Sequence, residues 1–205
     1  MLLSNVKEIE IPEGKVKQIA KGSEILWKKY TEIEFLKFTG TQWFNTEIPV
    51  FNFSDWEIRL KFKPNRLFDY NCVFGTESGT TTHECWFEAD ADFFVRYNAS
   101  KQQLTDVNTS TIYEITFKYS SNRLTVVMNG SQVLNASIST SLLNSNLYLF
   151  HRATNFGEVD FYSAQIFTNG TERMNLIPVI DNNGVKCAFD KVSDSFLYSS
   201  GGMFQ

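Results

Sequence analysis

Three carboxylates that alternate with alanine, Glu88, Asp90 and Asp92, have the spacing that comes closest to a catalytic motif in this sequence. Two carboxyl groups about 5–5.5 Å apart can cleave a glycosidic bond with retention, provided that one of them has a raised pKa. The runs Glu84–Glu88 and Asp92–Tyr97, however, predict two strands with their turn at Asp90. The acids would then lie on separate arms of a hairpin, in water, and we expect no catalytic residues.

A metal ion is the other chemistry that these acids could support. Asp90, Asp92 and neighbouring backbone carbonyls are oxygen ligands of the kind that Ca²⁺ takes. The sequence lacks a DxDxDG-like loop, and neither His83 nor His151 has zinc-ligand spacing. We therefore expect no metal site and no cofactor, and keep Ca²⁺ as the alternative.

Sugar binding requires different side chains, namely an exposed aromatic ring with planar polar groups around it. Asn98 is a further residue to watch, as one of the polar groups that could surround such a ring. The residues that we assign to a carbohydrate site are Trp43, Trp86, Arg96, Tyr97, His151, Arg152 and Asn155. Trp86 and Tyr97 are expected to face each other across the Asp90 hairpin. The alternative for each tryptophan is a place in the core.

The three cysteines, Cys72, Cys85 and Cys187, show no CxxC spacing. They are interpreted as small buried hydrophobic residues. Cys72 and Cys85 fall on neighbouring predicted strands, so a cross-strand disulfide is the open alternative, which a cytosolic origin disfavours.

Composition excludes several classes of partner. The chain has 19 Lys and Arg against 23 Asp and Glu, a formal net charge of -4, and no basic run that would follow a nucleic-acid backbone. Its apolar stretches are far shorter than the roughly 20 residues of a membrane helix, so we expect no membrane insertion. The N-terminus does not have the pattern of a signal peptide, which predicts synthesis and retention in the cytoplasm.

Strict alternation of apolar and polar residues predicts the elements that must position these side chains. Trp56–Phe62 and Tyr113–Tyr119 each place every second residue on one apolar face, as half-buried strands do. The Asn-Gly pairs at Asn129, Asn169 and Asn183 favour tight hairpins. Short strands in an antiparallel meander predict an all-β protein, an antiparallel jelly-roll β-sandwich over residues 30–205.

Residues 1–29 have a different pattern, three short strands separated by Pro-Glu-Gly and Lys-Gly. So small a unit rarely folds alone, so it is expected to pack on the sandwich or on another chain. We place the domain boundary at Lys29 and Tyr30, and interpret residues 1–29 as a β module for attachment or oligomerisation.

Two segments carry a resemblance to a known family. LIPVIDNNGVKCAFDKVSDSFLYSSGG, from Leu176 to Gly202, and EFLKFTGTQWFNTEI, at positions 34 to 48, resemble the two ends of a concanavalin A-like lectin/glucanase (laminin-G-like) jelly roll. That version is common in tail and appendage proteins of bacteriophages and prophages. The segment VKEIEIPEGKVKQIAKGSEILWKK likewise resembles a small module that precedes variable domains on phage structural proteins.

The resemblance implies a non-enzymatic virion component, made in the cytoplasm of a bacterial host, whose sandwich contacts host-surface polysaccharide. Residues 1–29 would bind other virion proteins, with assembly into a homo-oligomer as the open alternative. A purely structural or decorating protein without a ligand is one alternative. A laminarinase-like glycoside hydrolase is another, although Asp92 stands where the glucanase motif ends in Glu.

Overall fold

The computed structural model describes residues 18–21, 24–76, 83–97, 100–138 and 142–204. Within these ranges the regular secondary structure is almost entirely β-strand, with one short 3-10 turn at Val50–Asn52. No helix in the described part is long and apolar enough to span a membrane. The all-β prediction is confirmed.

The strands are numbered in chain order. They are β1 (Gln18–Lys21), β2 (Glu24–Lys28), β3 (Tyr30–Glu32), β4 (Leu36–Lys37), β5 (Phe44–Asn45), β6 (Trp56–Pro64), β7 (Asn71–Gly75), β8 (His83–Phe87), β9 (Asp92–Tyr97), β10 (Ser100–Asp106), β11 (Tyr113–Ser120), β12 (Arg123–Met128), β13 (Ser131–Ser137), β14 (Tyr148–Leu149), β15 (His151–Arg152), β16 (Asn155–Phe156), β17 (Val159–Thr168), β18 (Thr171–Asp181), β19 (Lys186–Asp190) and β20 (Ser195–Leu197).

Two antiparallel sheets form a jelly-roll sandwich, as predicted. The small sheet has the strand order β10-β9-β8-β7-β14-β5. The large sheet has the order β13-β12-β11-β6-β17-β18-β19-β20, with β3 beside β18 and β4 beside β17. Strands distant in sequence therefore become neighbours, so residues far apart in the sequence meet on each face.

The core lies between the two sheets and is built by the predicted alternation. Along β6 the apolar residues are buried and the charged residues between them face outward; β11 repeats this pattern. Aromatic rings cross the interface, with Phe74 of the small sheet 4.9 Å from Phe117 of the large one, centroid to centroid. Trp56 Nε1 donates to the hydroxyl of Tyr97 at 3.4 Å. The side chains on the outward faces of the two sheets are therefore not constrained by packing in the core.

The three Asn-Gly pairs form turns of two kinds. Asn129 and Asn169 each have a φ of 49° and are followed by a glycine of positive φ, as in the tight hairpins β12–β13 and β17–β18. At the third pair only Gly184 has a positive φ. There the carboxylate of Asp181 holds the turn by accepting the backbone N–H groups of Asn183 and Val185.

Residues at the predicted domain boundary join the C-terminal strands. β1 and β2 pair with each other, whereas β3 pairs with β18 of the large sheet. Lys29 Nζ lies 3.0 Å from Asp194 Oδ2 and 4.8 Å from the ring centre of Phe189. The first strand expected in the N-terminal module lies outside the described residues, and the module itself stays a prediction.

Both sheets end in a bulged strand on the same side of the sandwich. The β9–β10 ladder shifts register between Gln103 and Thr105, and the β12–β13 ladder shifts between Val126 and Val127. Bulges of this kind twist an edge and discourage pairing with a strand of another molecule.

His83 is a buried polar residue at the start of β8. Its ring is fully buried, stacks on Phe51 at 4.6 Å and meets the edge of Tyr97 at 3.9 Å. Neither ring nitrogen has a hydrogen-bond partner among the described residues. Burial lowers the pKa of His83 from 6.5 to about 4, so the ring is neutral near pH 7.

Candidate functional site

The outer face of the small sheet collects most of the predicted site residues. Every residue of β7 and β8 is buried, so this face is covered by side chains rather than open to water. Paired residues of antiparallel strands point to the same side. Arg96 pairs with both Glu84 and Lys101, and Trp86 pairs with Phe94, which places charged and aromatic side chains in adjacent rows.

A buried carboxylate joins two arginines on this face. The side chain of Glu84 is 2% exposed and lies between Arg96 and Arg152. Arg96 Nη1 is 2.9 Å from Glu84 Oε1, and Arg152 Nε is 2.6 Å from Glu84 Oε2. Two guanidinium groups share one carboxylate, so the cluster carries an excess positive charge.

Backbone geometry brings Arg152 onto the sheet. Phe150, fully buried, has a φ of 60°, which is strained for an aromatic residue. It reverses the chain between β14 and the hairpin β15–β16, so that Arg152 lies over Gly75 of β7. A Cβ at Gly75 would be 2.7 Å from Arg152 Cβ and 3.1 Å from the backbone oxygen of His151. The arginine thus occupies the space that a side chain on Gly75 would fill.

A second glycine seats the returning strand of this hairpin. Gly157 N–H donates to the carbonyl of Phe150, and a Cβ at Gly157 would be 2.3 Å from the carbonyl oxygen of Cys72. Only a residue without a side chain fits this approach. The two glycines fix where the hairpin lies on the small sheet.

An aromatic stack occupies the next row of the face. Trp86 lies between Tyr70, 6.1 Å away with nearly parallel rings, and Phe94 at 5.6 Å. Its indole N–H donates to Glu88 Oε1 at 2.6 Å. The cationic groups of Arg96 and Lys101 lie 5.2 and 5.3 Å from its ring centre. Trp86 itself is 2% exposed, so Tyr70, 46% exposed, is the ring that meets solvent.

Trp43, His151 and Tyr148 form a further aromatic group. The rings of Trp43 and His151 stack at 4.5 Å, and Tyr148 lies 5.3 Å from Trp43. Tyr148 pairs with Gly75 in the neighbouring strand. Because Arg152 lies over Gly75, this aromatic group is next to Arg152. Trp43 is partly exposed and held by the C-terminal segment, where Ser200 N–H donates to its carbonyl.

The structure brings five of the seven predicted site residues together, namely Trp43, Trp86, Arg96, His151 and Arg152. Asn155 lies opposite Arg152 in the hairpin β15–β16. The assignment of Tyr97 is corrected, because Tyr97 is 2% exposed and packs in the core against Trp56. Arg96 faces outward, so its neighbour in the strand must face inward. Asn98 lies outside the described residues.

The expected contact between Trp86 and Tyr97 is also corrected. Trp86 pairs with Phe94, whereas Tyr97 pairs with His83, on the other face of the sheet. Sequence analysis missed Glu84, Tyr70, Lys101 and Tyr148. The alternation Glu84-x-Trp86 with Phe94-x-Arg96 was the signal that could have placed Glu84 beside Arg96.

The acidic hairpin has the predicted shape, with Asp90 in the turn between β8 and β9. Glu88 accepts from Trp86, whereas Asp92 Oδ1 accepts from Gln103 Nε2 at 2.7 Å. Partial desolvation, and then the carboxylates of Asp90 and Asp106, raise the pKa of Asp92. Among the described residues, no group of three or more His, Cys, Asp or Glu side chains could hold a metal ion. The Glu88 N–H donates to the Asp92 carbonyl, so these two residues oppose each other across the hairpin, and each carboxylate has its own hydrogen-bond donor.

The three cysteines are free and buried. Burial raises the pKa of the Cys72 and Cys85 thiols well above their ordinary value, and that of Cys187 to about 12. The alternative of a Cys72–Cys85 disulfide is therefore not what the structure contains.

A groove of about 500 Å³ lies elsewhere, on the outer face of the large sheet. It is lined by residues of β6, β11 and β17, among them Lys61 and Glu114, whose charged atoms pair at 2.6 Å. Its lining includes no aromatic ring. The groove therefore lacks the stacking surface that the small sheet offers.

Solved structures of other proteins share this fold, at low sequence identity. No family profile and no curated protein matches the sequence. The carbohydrate-binding module CBM40 of the Ruminococcus gnavus IT-sialidase, bound to α2,3-sialyllactose, has a TM-score of 0.52 at 9% identity, over 66% of this chain and 90% of that one.

Two larger proteins share the same sandwich. A protein of Bacteroides ovatus, provisionally named as carbohydrate-binding, has a TM-score of 0.58 at 11% identity, over 84% of this chain and 60% of that one. The Trypanosoma rangeli sialidase has a TM-score of 0.53 at 10% identity, over 68% of this chain and 26% of that one. Identities this low establish a common β-sandwich fold and nothing finer.

Proposed function

We propose that this protein binds glycans through the outer face of its small sheet and does not cleave them. The observation that carries the proposal is the convergence there of Tyr70, Trp43 with His151, and the arginines around Glu84. Rings that stack on sugars and planar donors that bind hydroxyl groups are what a carbohydrate site requires. The lining of the large-sheet groove includes no aromatic ring.

The geometry suits a shallow site. Tyr70 rests one ring face on Trp86 and is 46% exposed, so its other face is available to a sugar. Trp43 presents a second, partly exposed ring on the same side. A site of this kind buries little area, and weak binding by each copy would gain avidity from multivalent display. Two of the structural neighbours, CBM40 and the Bacteroides ovatus protein, are described as carbohydrate-binding, which supports the same class.

We propose further that the protein acts in a bacteriophage or prophage virion, as a tail, baseplate or appendage component. The support is the resemblance of the segments at 34–48 and 176–202. Residues 1–29 would attach the chain to other virion proteins or to further copies of itself, and the sandwich would contact host-surface polysaccharide. The contacts of Lys29 with Asp194 and Phe189 would hold the start of the sandwich firmly at that junction.

Catalysis is not part of the proposal, because the carboxylates of the face are committed to other partners. Glu84 lies between two arginines and forms an ion pair with each. Glu88 accepts from the Trp86 indole and lies 3.9 Å from Lys101. A general acid would need a protonated carboxyl group aimed at a leaving oxygen.

Binding is tested by a glycan array followed by calorimetry on wild type, Tyr70→Ala and Trp43→Ala. We expect each variant to lose about tenfold or more in affinity, since stacking of one ring contributes on the order of 1–3 kcal/mol. Tyr162→Ala is the matched control, because Tyr162 is a partly exposed ring that packs on Phe35 away from this face. Equal losses in the control and the test variants would contradict the assignment of the face.

The role in a virion and the absence of catalysis are tested by separate experiments. Deletion of residues 1–29 should leave a folded sandwich that no longer enters particles; normal incorporation would disprove the attachment role. Laminarin and lichenan should not be hydrolysed. Hydrolysis by wild type that disappears in Glu88→Gln/Asp92→Asn would show that the protein is a glycosidase.

A further inference from the structure

We infer that the glycan recognised by this face carries an anionic group, a carboxylate or a phosphate, which Arg96 and Arg152 bind together. The inference rests on the proposed glycan-binding function and names the chemical class of its ligand. It follows from the charge, the exposure and the seating of the two arginines.

The first step is the charge count. Arg96 and Arg152 share one carboxylate, that of Glu84, which leaves this cluster with one positive charge in excess. The chain as a whole carries a net charge of -4. Polyanions are therefore not attracted by the protein in general, and a local positive site would select for them by position.

The second step concerns the donors that remain. A guanidinium group has five N–H donors, and Glu84 engages one nitrogen of each arginine. The side chains of Arg96 and Arg152 are 30% and 21% exposed, so both reach solvent beside their shared carboxylate. An oxyanion suits such donors, because arginine binds carboxylate and phosphate in a planar, often bidentate fashion.

The third step is the cost of the arrangement. Buried ion pairs contribute little net stability compared with apolar packing, even when each oxygen of the carboxylate has its own arginine, as in the 2% exposed Glu84. Glu84 is explained as a positioning residue, which holds both guanidinium groups in place before the ligand arrives.

The fourth step is proximity to the stacking rings. The guanidinium of Arg96 lies 5.2 Å from the ring centre of Trp86, on which Tyr70 stacks. A sugar on the open face of Tyr70 would have its substituents within the same neighbourhood. One residue of the glycan could therefore provide both the ring and the charge.

The experiment compares a carboxylated polymer with its uncharged ester and adds a polymer that carries phosphate instead. Binding of polygalacturonate is measured by calorimetry beside its methyl ester, which is the same sugar without the carboxylate, and beside a poly(glycerol phosphate) teichoic acid. We expect wild type to prefer at least one anionic polymer over the ester by about tenfold or more, and the preference to weaken with added salt. Binding of the carboxylate or of the phosphate polymer identifies which anion the site takes.

Single substitutions test whether the two arginines cause the preference for the anionic polymer. Arg96→Gln and Arg152→Gln should each lose about tenfold or more for the anionic polymer, and Glu84→Gln should lose affinity although it removes a negative charge. Arg59→Gln is the control, because Arg59 lies in the large-sheet groove and pairs with Glu57 at 2.5 Å. The comparison of acid and ester on wild type stands even if a variant fails to fold.

The outcomes separate the two proposals. Equal binding of the acid and the ester, unaffected by the arginine substitutions, would refute the anionic ligand and leave glycan binding intact. Loss of the preference in Arg59→Gln alone would also refute it, by moving the site to the large sheet. Absence of binding to every polymer and to a broad glycan array would refute the proposed function itself.

Discussion

Replacement of His83 by phenylalanine tests the physical description of the core most directly. The imidazole is fully buried between Phe51 and Tyr97, and neither nitrogen is bonded within the described part of the chain. Phenylalanine keeps a planar ring in the stack and removes two unsatisfied polar atoms. We expect His83→Phe to be as stable as wild type near neutral pH, or more stable.

The magnitude comes from the pKa. The folded state holds His83 at about 4, against 6.5 for an ordinary histidine. Well above pH 6.5 the ring is neutral in both states and contributes no pH dependence. As pH falls through 6.5 the unfolded chain binds the proton and the folded chain does not, so stability is lost until about pH 4. The loss is about 1.8 kcal/mol between about pH 7 and pH 5, and about 3.4 kcal/mol in full.

The assay is urea unfolding of both proteins across this pH range, with the difference in unfolding free energy as the observable. Carboxylates titrate equally in the two proteins and cancel. The chain has only two histidines, so imidazole resonances in an NMR spectrum can follow His83 beside His151. A difference that stays flat from pH 7 to 5, or an imidazole of His83 that titrates near 6.5, would refute the reasoning.

Three further predictions concern the position of Arg152 over Gly75, the turn held by Asp181, and the three cysteine thiols. Gly75→Ala should push Arg152 from its place, lowering glycan affinity and costing about 1–3 kcal/mol in urea unfolding; unchanged affinity would mean that the hairpin is not positioned by this glycine. Bonds from the Val185 N–H and then the Tyr198 hydroxyl lower the pKa of Asp181, so its contribution is present above the ordinary aspartate pKa and is lost as pH falls through the lowered value. Asp181→Asn should therefore flatten the acid limb of the stability profile, and an unaltered limb would contradict this. A thiol reagent should label none of the three cysteines in the folded protein and all three in urea, whereas rapid labelling of Cys72 would show that the sandwich opens locally.

The fold was accessible from the sequence because its signals are local. The alternation in β6 and β11 and the turns at Asn129 and Asn169 each depend on residues a few positions apart. The site was accessible only in part. Tyr97 was named beside Arg96 although neighbours in a strand face opposite sides, and the error came from choosing residues by type without regard to parity.

Other features of the site depend on contacts that no local pattern predicts. Glu84 lies in a mostly apolar strand, and its ion-pair partner Arg152 is far away in the sequence. Gly75 gives no sign that its missing side chain makes room for an arginine. Tyr70 reaches the face through a loop in which its own φ is 61°. Each case joins a backbone conformation to a distant residue.

The hairpin β15–β16 also suggests how such a face could change its specificity without changing its core. Its stem is fixed by Gly75 and Gly157, while the residues at its tip, Ala153 and Thr154, are exposed. Substitutions or insertions at the tip would alter the surface next to Arg152 and leave the buried strands untouched. Diversity at two or three positions of one short loop would then be enough to redirect the protein to a new ligand, whether by natural drift or in a selected library.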